Sequence, residues 1–259
     1  MRSLNFLILG LAMIFQTSIY SQAVPMATIK GGEFVPLYGT KTVVKVDDFK
    51  MDVYPVTNKD FQEFLKSNPQ WQRSKVKKLF ADESYLNLWI DDLNFGEAQK
   101  ANSPVTGISW FAAKNYCECQ DKRLPTTDEW EYAAMASQKQ ADAREEVSYN
   151  QYILKWYETP NTFEKEIGST FKNYWGVYDL HGLVWEWTLD FNSVLLSGES
   201  RKDSAGDNSL FCGASAIGAT DLMNYAAFMR YAFRGSVKAN YSIKNLGFRC
   251  VQDVNAETI

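Results

Sequence analysis

No basic stripe runs along any segment of this 259-residue chain, and its 27 Lys and Arg against 31 Asp and Glu leave a formal charge of only −4. Nucleic acid is therefore not an expected partner. The apolar run Leu4–Phe15, behind Met1-Arg2, is too short to span a bilayer. Small and polar residues from Ser18 to Ala23 follow it, so residues 1–23 read as a secretory signal peptide, cleaved after Ser21 or Ala23, in preference to a buried core helix. No cysteine follows the run, so no lipid anchor and no stable membrane attachment are expected after cleavage. No internal repeat is visible. Cys117 and Cys119 stand too close together for a C-x-x-C metal knuckle.

What is present is ample material for a core: 46% hydrophobic residues, 15% of the chain aromatic. Residues 24–259 are expected to fold as a single domain in an oxidising compartment, periplasmic or secreted. Export permits disulfides, and Cys117, Cys119, Cys212 and Cys250 allow three full pairings that spacing alone does not separate. Ile29–Tyr38, opened by Gly31-Gly32, and Thr42–Phe49 read as two strands. Thr57 with Asp60 makes a capping pair for a helix whose inner face carries Phe61, Phe64 and Leu65. Ser109 caps a second helix with Ala112, Ala113, Tyr116 and Cys117 inward; Thr126 with Glu129 caps a third carrying Trp130, Ala133 and Ala134. Residues 66–103 lack a sustained period and read as short helices and loops. Ser137–Glu146 reads as a solvated loop, and Asn192–Ser209 as a long excursion.

The stretch Gly176–Trp187 stands out. It holds two tryptophans flanking a carboxylate, the only histidine, His181, and two glycines. Trp185 and Trp187 share one face of an extended strand and Glu186 takes the other, so the segment reads as a rigid central hairpin. GVYDLHGLVWEW resembles the G-x-Y-D-M-x-G-N-V-W-E-W signature of the formylglycine-generating enzyme (sulfatase-modifying factor) family. Further matches occur in the family's order: the G-G-E-F-x-P opening, the Thr57-Asn58 helix start, the Arg123–Tyr132 segment, and the Asn245–Cys250 ending N-L-G-F-R-C. The resemblance implies an α+β fold, a variant of the C-type-lectin architecture with a twisted antiparallel sheet, few helices and much irregular chain. It also implies a disulfide between Cys117 and Cys250.

The family's enzymes oxidise a substrate cysteine to formylglycine with copper held by two cysteines. A soft Cu(I) ion needs those thiolates. In the matching segment here, Phe211–Arg230, the second cysteine position falls at Ala226 and the first within Ala216–Asp221, and neither holds cysteine. Positions of the family's second disulfide, near Ala134 and Tyr231, have also lost both sulfurs. Copper is not expected; a rebuilt site from Cys212, His181, Met223 and Met229 shows no ligand spacing, and methionines serve mostly to fill gaps. The resemblance further implies a structural Ca²⁺ on Asp179, Gly182, Val184 and Glu186, against the alternative that Glu186 pairs with Arg249. Leu183 stands where the family has asparagine.

Trp185, Asn224, Tyr225, Arg230, Arg234 and Asn245 remain around the lost copper site and could bind an extended peptide, or the arginines could brace loops internally. Phe211–Gly235 is also similar to a branch of exported accessory proteins encoded beside copper nitrite reductases. The expectation is an accessory protein without the copper cysteines that binds a periplasmic protein or extended peptide and assists such an enzyme. The alternative is an oxidase of the family working through a rebuilt site with Cys212.

Overall fold

The computed structural model describes residues 24–37, 42–97, 99–192 and 222–254, with side chains of the last segment from Tyr225 onward. The signal peptide, Cys212 and most of the Asn192–Ser209 excursion lie outside these residues. β1 (Met26–Ile29) pairs antiparallel with β4 (Phe49–Asp52), and β2 (Gly32–Phe34) with β3 (Val44–Val46). Ile29 faces Phe49 and Gly32 faces Val46, so the two ladders continue one register. Two long strands were expected, and the difference has a local cause. The Asp48 carboxylate accepts from the Gly31 backbone N–H at 2.8 Å and from Lys30 Nζ at 2.6 Å, which interrupts the ladder where β1 would run into β2.

β4 also pairs antiparallel with β7 (Val251–Asp253), Met51 opposite Val251, so the chain's last strand lies beside its first hairpin. This sheet buries Ile29, Phe49, Met51 and Val251 against Trp130 and Ala133. The tryptophan segment differs from expectation. Trp185–Glu186 forms β5 and joins β6 (Leu246–Gly247) in parallel, so the tryptophan segment is one side of a long-range pair and not a hairpin. The α+β architecture is as expected, but its sheet is divided into three small ones, one of them parallel.

The three caps form as read. α1 (Asn58–Ser67) and α3 (Thr127–Ala134) start in reciprocal capping boxes, Thr57 with Asp60 and Thr126 with Glu129, and α2 (Trp110–Glu118) starts at Ser109. Each such cap stabilises by about 1 kcal/mol. Phe61, Phe64 and Leu65 on α1 meet Ala112, Ala113 and Tyr116 on α2 in the largest apolar cluster. A disulfide joins Cys117 on α2 to Cys250 just before β7, with Cα atoms 5.6 Å apart, and Cys119 is left exposed. Two helices lie where none was expected: α4 (Val147–Glu158) and α5 (Leu222–Ser236), which pack on each other. α4 gives no start signal because its N-cap, Glu146, makes no side-chain capping bond. Among the described residues no helix is long and apolar enough to cross a membrane.

Candidate functional site

The Gly176–Trp187 segment is held by unusual backbone and saturated side chains. Gly176 (φ +92°), Asp179 (φ +62°) and Gly182 (φ +128°) all take positive φ. At Gly182 a Cβ would lie 2.6 Å from Thr170 Cγ2 and 2.9 Å from the Tyr152 hydroxyl, so only glycine fits. Asp179 is buried, and its carboxylate accepts from the Gly168 N–H at 2.5 Å, the Thr170 N–H at 3.0 Å and Thr170 Oγ1 at 2.8 Å. Glu186 on β5 faces Arg249. The guanidinium donates to Oε1 at 2.8 Å and 3.0 Å and to Oε2 at 2.9 Å, while Trp130 Nε1 donates to Oε2 at 2.7 Å. Trp187 is buried and donates to the Ile108 carbonyl at 3.0 Å. Trp185 is half-buried in a stack, with Phe233 of α5 at 4.7 Å on centroids and Tyr157 of α4 at 5.2 Å and nearly parallel.

A second buried charge cluster ties α5 to α3. Arg230 and Arg234, one helical turn apart, both reach Glu131: Arg230 through Nε at 2.9 Å and Nη2 at 2.7 Å, Arg234 through Nη1 at 2.6 Å. Arg234 also lies over the Trp130 ring, 5.0 Å from its centroid. Burial pushes the Glu131 carboxyl up, but the two guanidinium charges outweigh it and hold the pKa at about 2. His181 sits beside this cluster, edge-on to Trp130 and Tyr149, with Nε2 3.0 Å from the Ala134 carbonyl. Burial, reinforced by Arg230, lowers its pKa to about 3, so the ring is neutral. Ala226 on α5 is fully buried among Ala143, Tyr149 and Ile153, and its carbonyl accepts from the Tyr157 hydroxyl at 3.2 Å.

Residues 15–254 match the family described as the sulfatase-modifying factor enzyme 1-like domain. The chain belongs to this family. It is 30% identical over 246 residues to "Inactive C-alpha-formylglycine-generating enzyme 2" of Bos taurus, covering 80% of this chain and 78% of that one. It is 28% identical over 253 residues to "Formylglycine-generating enzyme" of Mus musculus, covering 81% and 67%. The solved structure of PvdO from Pseudomonas aeruginosa aligns over 88% of this chain and 94% of that chain, with 17% identity and a TM-score of 0.49.

Asp179, Gly182, Val184 and Glu186 do lie on one buried segment, but both carboxylates are spent on protein donors and a guanidinium stands against Glu186. As arranged, this set does not fit a hard cation; the Arg249 pairing is the arrangement observed. Among the described residues no group of three or more His, Cys, Asp or Glu could hold a metal ion. Of the copper donors weighed for a rebuilt site, Cys212 and the Met223 side chain lie outside the described residues; Cys117 is in the disulfide, Cys119 is at the exposed end of α2, Ala226 has no sulfur, and His181 Nε2 lies 3.0 Å from a backbone carbonyl.

The peptide-binding set divides. Arg230 and Arg234 are buried on Glu131, so they brace α5 against α3, the second of the two roles weighed for them. Trp185 is stacked, Asn245 is half-buried and accepts from the Trp185 N–H through its carbonyl at 2.9 Å, and Tyr225 is exposed. The Asn224 side chain lies outside the description. Sequence reasoning missed Glu131, treating its segment as scaffold alone. The i, i+4 spacing of Arg230 and Arg234 was an available signal, since it sets two cations on one helix face in need of a buried carboxylate.

Proposed function

We propose that this chain is a non-catalytic, exported member of the family that binds a periplasmic protein through an extended peptide segment. Its similarity to the branch beside copper nitrite reductases makes such an enzyme the client. One observation carries this reading: where the family resemblance puts the second copper cysteine, Ala226 stands buried on α5 against α4 and offers no thiolate. The match to a relative described as inactive supports it, although an active relative matches nearly as well. Among the described residues, Tyr225, exposed one residue before Ala226, and the rim of the Trp185 stack offer surface to a peptide.

The test incubates the mature protein with copper, O₂ and a cysteine-containing peptide, and reads the peptide mass. The expected result is an unmodified cysteine. Conversion to formylglycine that disappears in Cys212→Ser would establish the oxidase alternative instead. In parallel, a purified copper nitrite reductase is expected to bind the immobilised wild type, with binding weakened in Tyr225→Ala.

A further inference from the structure

The sheet formed by β1, β4 and β7 has one edge covered and one open. On the β7 side Arg123 extends the ladder: its N–H donates to the Val251 carbonyl at 2.9 Å, and its carbonyl accepts from the Val251 N–H at 2.7 Å. On the other side β1 ends the sheet. Backbone bonds across the sheet fix which groups of β1 face outward. The Asp52 N–H donates to the Cys250 carbonyl at 2.9 Å, so Asp52 turns its backbone toward β7. Met26, opposite Asp52, is therefore in a non-bonded pair with β4. The Val53 N–H donates to the Pro25 carbonyl at 2.9 Å, which sets the same phase. Ala27 and Ile29 thus bond to β4, while the N–H and C=O of Met26 and Thr28 point away from it. Among the described residues no strand lies on that side. An open edge of this kind is a template for a further strand.

The charges beside the edge decide what fits it. Lys50 is exposed and stands opposite Thr28 across the β1–β4 ladder. Lys172 flanks the Ala27 side: a Cβ on Gly176 would lie 3.5 Å from Lys172 Cε and 3.9 Å from Ala27 Cβ. Lys30, next along the chain, is matched by Asp48 at 2.6 Å, whereas Lys50 and Lys172 make no ion pair among the described residues. Two copies joined along β1 would crowd Lys50 and Lys172 of each onto one seam, so a second copy fits poorly. An extended segment carrying Asp or Glu matches both the backbone and the charge. We propose that β1 is a docking edge for an extended acidic segment of the client, which adds to the sheet through backbone bonds to Met26 and Thr28. This rests on the reading of the chain as a peptide binder and adds a surface distinct from Tyr225 and the Trp185 rim.

Proline at an outward position removes a docking donor and spares the β1–β4 ladder, so Thr28→Pro separates docking from folding. Random peptides displayed on phage are selected on the immobilised mature wild type, and the selected sequences are measured as free peptides by fluorescence anisotropy. They should be rich in Asp and Glu and bind Thr28→Pro roughly five- to tenfold more weakly. If Thr28→Pro does not fold, amide exchange on the wild type decides: the peptide should slow exchange at Met26 and Thr28 and leave Ala27 and Ile29 unchanged. Recovery of no peptide, of peptides without acidic residues, or of self-association that Thr28→Pro abolishes would each overturn the proposal. Peptides indifferent to Thr28→Pro but lost in Tyr225→Ala would overturn it too, and would leave the peptide-binding reading standing.

Discussion

Glu131 is the single carboxylate that two buried arginines share. Replacing it with glutamine leaves Arg230 and Arg234 buried without a counter-charge, and breaking a buried pair in this way costs about 3–5 kcal/mol. Urea denaturation of Glu131→Gln should show that loss, and a change under 1 kcal/mol would mean the clamp is more solvated than it stands here. His181 governs acid sensitivity. Its folded pKa, about 3, lies below the ordinary 6.5, so the unfolded state binds the proton first. Stability is complete above pH 6.5 and falls by about 1.4 kcal/mol per unit as pH drops toward 3. Glu131, depressed to about 2, adds its own loss only below its usual value of 4.5. The variant His181→Gln should therefore flatten the stability profile between pH 6.5 and 4.5 and leave the more acidic limb in place. At Glu186 the expectation is a null effect: millimolar Ca²⁺ leaves the melting temperature unchanged, because Arg249 already occupies the carboxylate. A rise that vanishes in Glu186→Gln would reverse that assignment.

At the scale of elements, local chemistry that uses near neighbours was readable. Ser109 caps its helix with a hydroxyl alone, and Thr57 and Thr126 cap theirs with a hydroxyl and a carboxylate three residues on, all within one turn. The ladder interruption at Gly31 was not readable, because it depends on Asp48 reaching back across the hairpin. The parallel β5–β6 pair was hidden for the same reason: Trp185 finds Leu246 only after the intervening chain has folded. α4 was missed because its N-cap, Glu146, makes no side-chain capping bond, and α5 because its apolar face is matched to α4, far away in sequence. The Cys117–Cys250 pairing came from resemblance, and the structure has it. The loop it closes spans 133 residues, so reduction or Cys250→Ala should cost roughly 4–5 kcal/mol in the chain-entropy view. Denaturation with and without dithiothreitol measures it; equal midpoints would contradict the estimate.

For the molecule as a whole, the family and its α+β architecture were legible from ordered motifs, while the roles of the site residues were not. Motifs specify which residues come together; they do not specify whether an arginine faces solvent or a buried carboxylate. Arg230, Arg234 and Glu186 therefore changed from candidate binders to internal braces once their partners were located. The chain keeps the family's frame, and among the described residues Ala226 is buried between helices while Trp185 stacks on Phe233. The most direct test is a Cu(I) titration of the mature wild-type protein against a chromophoric chelator. Failure to compete for a stoichiometric equivalent is the predicted result. Tight one-to-one binding that is lost in Cys212→Ser would contradict the account.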